Sequence, residues 1–127
     1  MQPSVTPNAE ELSAIIVDAA FKLHRDLGPG LLESVYEATL AKRLQDRGLL
    51  VERQRIVPIE FDGVRLDAGF RADLVIESCL VLELKSVEQL AAVHYKPLLT
   101  YLRLMNLPLG LLINFGRARV EYKRLVY

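Results

Sequence analysis

Apolar residues recur at two different periods along the chain, and the change of period divides it. Over residues 9–27, Leu12, Ile15, Ile16, Ala19 and Leu23 follow the i, i+3, i+4, i+7 spacing of one helix face. Asn8 with Glu11 three positions later fits an N-cap and capping box, and residues 1–8 read as a flexible tail ahead of it. Gly28-Pro29-Gly30 ends this helix sharply. A second helix is predicted over about residues 31–47. Its stripe is Leu32, Val35, Tyr36, Leu40 and Leu44, with Gly48 just beyond its end.

After Gly48 the period shortens to that of a strand. Residues 50–61 read as a strand with Val51, Val57, Ile59 and Phe61 on one face. Asp62-Gly63 is a hairpin turn, and residues 64–70 return from it. Gly69 marks a bulge before residues 71–77 continue in extended form, and residues 79–86 form a further strand. Ser86 with Gln89 resembles another capping box, opening a short helical turn. Proline deep inside a helix removes a hydrogen bond and clashes with the preceding turn. Pro97 is therefore expected in the first turn of a helix ending near Asn106 and buried through Leu98, Tyr101, Leu102 and Met105. Residues 109–115 are nearly all apolar, as suits a central strand, and residues 119–126 form a last strand at an edge. The predicted order is α-α-β-β-β-β-α-β-β, one domain over residues 9–127.

The parity of the apolar residues fixes a register. Leu74 and Ile76 must share a buried face with Leu80, Leu82 and Leu84, all even-numbered. A three-residue connection at 77–79 satisfies this by pairing Ile76 with Leu80, Leu74 with Leu82 and Val75 with Val81; a two-residue turn would send one set to the wrong face. The same register sets Asp73 opposite Glu83, with Cβ atoms about 4.5–5.5 Å apart. Two carboxylates so close must share a proton, be separated by water or hold a cation. A hard divalent ion such as Mg²⁺, with Mn²⁺ as substitute, suits them. Lys85, on the same face as Glu83, could hold a phosphate or steer an attacking water. Charges alternating with apolar residues also describe any half-exposed strand, so the motif alone leaves both readings open.

Composition narrows the classes. With 127 residues, 51% apolar and 25% charged, the chain is an ordinary globular domain rather than a collagen-like or low-complexity one. Its 16 basic and 16 acidic side chains cancel, which excludes a broadly cationic coat for nucleic acid. The cancellation is uneven, because residues 89–127 hold six of the basic residues and a single acid, Glu121. An acidic pocket with basic flanks is expected. The lone Cys79 can form no internal disulfide. With no signal-like N-terminus and no membrane-length apolar run, the expected setting is the cytoplasm. One Cys and two His make a zinc site improbable, and no phosphate loop or nucleophile elbow is evident.

Six short motifs in order carry a family resemblance. Gly30-x-x-Glu33-x-x-Tyr36, Arg71-Ala-Asp73, Glu83-Leu-Lys85, His94, Thr100-Tyr101-Leu102 and Ile113-Asn-Phe-Gly116 resemble the GxxExxY proteins, a branch of the PD-(D/E)XK nuclease superfamily. The resemblance covers residues 12–126. It implies an α/β, restriction-endonuclease-like core, a mixed β-sheet flanked by helices. It also implies that Asp73 and Glu83 bind Mg²⁺, that Lys85 helps activate water, and that Glu33 completes the metal shell. Asp73 is preceded by Ala72 where the superfamily name has Pro. Typical relatives carry Gln four residues before the last tyrosine; here that position is Pro97, which offers neither a side-chain amide nor a backbone N–H. Any role of that amide is lost or moves to Lys96.

The expectation is a Mg²⁺-dependent nuclease acting on nucleic acid, DNA in the first instance, with Asp73, Glu83 and Lys85 catalytic. Tyr36, His94, Lys96 and Tyr101 are assigned to the cleft. Arg53, Arg55 and Arg103 are candidate phosphate contacts, with ordinary solvated side chains as the alternative. A domain this small has little surface for a duplex, so a homodimer or higher homo-oligomer is expected. The rival is an inactive scaffold or nucleic-acid-binding subunit on the same fold.

Overall fold

The computed structural model describes residues 8–65 and 70–127. The expected tail over residues 1–8 falls, apart from Asn8, outside the described residues, as does the bulge at Gly69. The chain runs α1 (Ala9–Leu27), α2 (Glu33–Asp46), β1 (Val51–Ile56), β2 (Glu60–Phe61), β3 (Val64–Arg65), β4 (Arg71–Ile76), β5 (Leu80–Lys85), α3 (Ala92–Met105), β6 (Leu109–Asn114) and β7 (Glu121–Val126). Five strands form one sheet in the order β1-β4-β5-β6-β7, and β2-β3 is a separate hairpin. Among the described strands only β5 and β6 are parallel; α3 makes the crossover between them.

Alternation along the strands gives the sheet two apolar faces. Leu74, Ile76, Leu80, Leu82, Leu84, Leu111 and Ile113 pack against α1 and α2. Val75, Val81 and Leu112 pack against Leu98, Tyr101 and Leu102 of α3. The β4–β5 register is the one parity requires: Leu74 with Leu82, Val75 with Val81, Ile76 with Leu80. Asn8 caps α1 by accepting the Glu11 N–H at 2.9 Å.

Four expectations change. Leu32 is the residue before α2 and is exposed, and Val35 is exposed too; the buried stripe is Tyr36, Leu40, Ala41 and Leu44. The strand over 50–61 breaks after Ile56, so Val57 turns inward while Phe61 is exposed on the hairpin. No helical turn opens at Ser86, whose hydroxyl is buried without a hydrogen-bond partner. Helix α3 starts at Ala92, so Pro97 lies in its second turn. The carbonyl it leaves without a donor is that of Val93, an exposed residue within reach of water.

The Asn114–Gly116 corner locks the end of β5. Asn114 is fully buried; its Oδ1 accepts from Val87 N–H and Gly116 N–H, each at 3.0 Å. Its Nδ2 donates to the Val87 carbonyl and to Glu121 Oε1, each at 2.9 Å. Phe115 N–H donates to the Lys85 carbonyl at 2.8 Å. A Cβ on Gly116 would sit 2.2 Å from Val87 O, so only glycine fits there.

Candidate metal centre

The β4–β5 ladder ends at Leu74–Leu82, and beyond it side chains replace backbone bonds. Asp73 N–H donates to Glu83 Oε1 at 3.1 Å, and Leu84 N–H donates to Asp73 Oδ2 at 2.9 Å. Each carboxylate is thus tied to the opposite strand's backbone. Burial pushes the Glu83 carboxyl up to about 8, helped by the adjacent Asp73 charge. Burial likewise raises Asp73, against the Leu84 N–H, Lys85 and Gln54, which favour its charged form.

Helix α2 supplies the facing wall. Glu33, Ser34 and Glu37 line a hollow of about 430 Å³ with Gln54 and Asp73. Glu33 is half exposed, and its Oε1 lies 3.8 Å from Lys85 Nζ. Glu37 is buried and receives Arg53 through Nε at 3.2 Å and Nη2 at 3.1 Å. Gln54, with a left-handed φ of 50°, bonds through its amide to Glu37 Oε1 and reaches Asp73 Oδ1 at 3.3 Å. Sequence reasoning missed Glu37 and Gln54. Glu37 carried a signal, lying one turn from Glu33 and beside Tyr36; Gln54 carried none.

The remaining expected residues separate. Tyr36 belongs to the core, not the cleft: it is fully buried, stacks on Phe115 at 4.3 Å between ring centres, and donates to the Gly28 carbonyl at 2.6 Å. It holds the α1–α2 turn in place. His94 caps α3, its Nδ1 accepting from Ala91 N–H at 2.8 Å. Arg55 pairs with Glu52 in its own strand and lines a different hollow with Val57 and Leu104. Tyr101 is buried; burial raises its pKa, and the Glu83 charge adds to this. Lys96 is exposed beside Tyr101, and Arg103 shares a hollow with Lys96 and Leu99.

The basic C-terminal residues do not form one wall. Lys123 lies over the Tyr95 ring of α3, whereas Arg124 reaches Glu10 of α1 and Arg117 pairs with Glu121. Alternation along β7 sends neighbouring cations to opposite faces of the sheet. The expected basic flanks therefore reduce to Lys96, Arg103 and Lys123 on the α3 side.

Asp73 and Glu83 offer an oxygen-only, partly desolvated donor pair, which fits a hard divalent cation. Among the described residues no group of three His, Cys, Asp or Glu side chains stands close enough to hold a metal. Glu33 is instead turned to Lys85.

A family model for the PD-(D/E)XK nuclease superfamily matches residues 10–125. The chain belongs to the PD-(D/E)XK nuclease superfamily. Its mixed sheet flanked by helices is the restriction-endonuclease-like fold. The chain is also similar to the crystal structure of SSO0001, at 22% identity and a TM-score of 0.57 over 74% of its residues. The match spans 50% of that chain's length, so the likeness concerns the fold. No curated protein matches the chain. No described helix is long and apolar enough to cross a membrane.

Proposed function

We propose that this superfamily member is a divalent-metal-dependent nuclease of the GxxExxY branch, hydrolysing phosphodiester bonds in DNA with Mg²⁺ as its ion. The observation that carries the reading is the pairing of buried Glu83 with half-buried Asp73, whose mutual repulsion a cation would relieve. Asp73 and Glu83 would hold the ion, and Glu33 could join them only by releasing Lys85. A bound ion of this kind lowers the pKa of water and offsets charge on the phosphate. Lys85 supplies a fixed positive charge at the rim of the same site, suited to orienting water or the anionic phosphate. The Asn114 corner keeps the Lys85 backbone in place while this happens. A homodimer remains the expected assembly.

The test is cleavage of single-stranded, duplex and branched DNA, and of RNA, with Mg²⁺ and with Mn²⁺. Activity should vanish in Asp73→Asn and in Glu83→Gln and fall by about 10²-fold or more in Lys85→Ala. Cleavage that persists in both acid variants would refute the assignment. The scaffold reading draws support from Pro97, set where typical relatives carry a glutamine. It predicts neither metal binding nor cleavage.

A further inference from the structure

On the α3 side of the carboxylates lies a second hollow of about 390 Å³, lined by Phe70, Val93, Lys96, Pro97, Thr100 and Tyr101. Its walls are two aromatic rings, a proline ring and a valine, with one ammonium group at the rim. Tyr101 joins it to the acids, since it belongs to the same buried cluster as Ala72, the residue before Asp73. Val93 is 69% exposed while Tyr101 is buried, so the hollow is open on its Val93 side. Lys96 and Thr100 also line the adjoining hollow that contains Arg103. Positive charge therefore continues along α3, away from the carboxylates.

We propose that this hollow receives an unpaired nucleobase of the strand whose phosphate lies at Asp73 and Glu83, with Lys96 and Arg103 on the neighbouring phosphates; the inference rests on the nuclease reading above. Flat apolar walls suit the face of a base, and aromatic stacking tolerates any base identity. A base inside a duplex has both faces covered by its neighbours and cannot enter without being extruded. Cations spaced along the helix track a phosphodiester backbone. The substrate class is then single-stranded or locally unpaired nucleic acid.

The test measures anisotropy of labelled DNA oligomers in EDTA, so that nothing is cut. Three probes are compared: a single strand, the same strand carrying abasic sites, and a duplex. The single strand should bind roughly ten-fold more tightly than the abasic one. Phe70→Leu, which keeps apolar volume but removes the ring, should erase that preference, as should Thr100→Trp, which fills the hollow. Lys96→Gln should weaken intact and abasic strands alike and reduce the salt slope by about one. Equal binding of intact and abasic strands, or a preference that survives both hollow variants, overturns this inference and leaves the nuclease reading standing. Failure to bind any oligomer overturns the nucleic-acid reading itself.

Discussion

Asp73 and Glu83 are each anchored to the other's strand, Glu83 Oε1 on the Asp73 N–H at 3.1 Å and Asp73 Oδ2 on the Leu84 N–H at 2.9 Å. The crossed bonds hold two like charges together where an ordinary ladder would let them part. The carboxylates are thus in position before any cation arrives, and the energetic cost falls on the metal-free fold.

That cost is pH-dependent. Glu83 titrates at about 8 in the fold against an ordinary 4.5, so the folded chain binds more protons than the unfolded one between these values. Stability should fall as pH rises through that window and level off above it. The raised Asp73 acts in the same direction. The exposed acids Glu10, Asp18 and Asp26 are lowered by arginine or lysine partners and act below the window. Urea midpoints measured without divalent ions should drop from about pH 5 to about pH 8.5, and Glu83→Gln should flatten the drop. A wild-type midpoint that climbs over this range would contradict the account.

Divalent ions should reverse the loss. Calorimetric titration with Mn²⁺ should show binding to the wild type that disappears in Glu83→Ala and Asp73→Asn. Saturating Mn²⁺ should raise the wild-type melting temperature most at alkaline pH, where both acids are ionised. Equal heats for wild type and Glu83→Ala would remove the ion from this site.

Glu37 should matter although it lies behind the acids. Its buried carboxylate receives Arg53 and the Gln54 amide, and Gln54 in turn reaches Asp73. Glu37→Gln should cost about 2 kcal/mol in denaturant unfolding, because charge-assisted bonds are replaced by neutral ones. It should also weaken Mn²⁺ binding, since one amide oxygen cannot serve both Arg53 and Gln54 and the hold on Gln54 loosens. Unchanged affinity would confine Glu37 to a structural role.

The Asn114 corner should be intolerant of change. Asn114→Ala strands the Val87 N–H and carbonyl and the Gly116 N–H, at an expected cost of about 3 kcal/mol. Gly116→Ala forces a Cβ onto Val87 backbone and should be at least as damaging. Thermal unfolding of both variants checks this; a melting temperature within a degree or two of wild type would show that the corner can relax.

Much of this was readable in the sequence because some residues admit one arrangement. The even-numbered leucines of β4 and β5 allow a single register, and that register brings Asp73 to Glu83. The long stripe of α1 and its Asn8 cap are local signals. Other features depend on contacts distant along the chain. Leu32 keeps helical spacing yet precedes α2, and Val35 falls on its exposed side, which periodicity alone cannot tell. Pro97 violates a local rule that the exposed Val93 carbonyl makes inexpensive to break. Gln54 adopts a left-handed backbone between Glu37 and Asp73, for which no neighbouring residue gives a sign.

The bond from Asn114 to Glu121 joins the arm bearing Lys85 to the edge strand β7. During synthesis the acids of β4 and β5 emerge early, but the corner that tethers their lysine lacks its last bond until residue 121 has left the ribosome. A nascent chain would carry an incomplete centre, and maturation of the site would coincide with completion of the sheet.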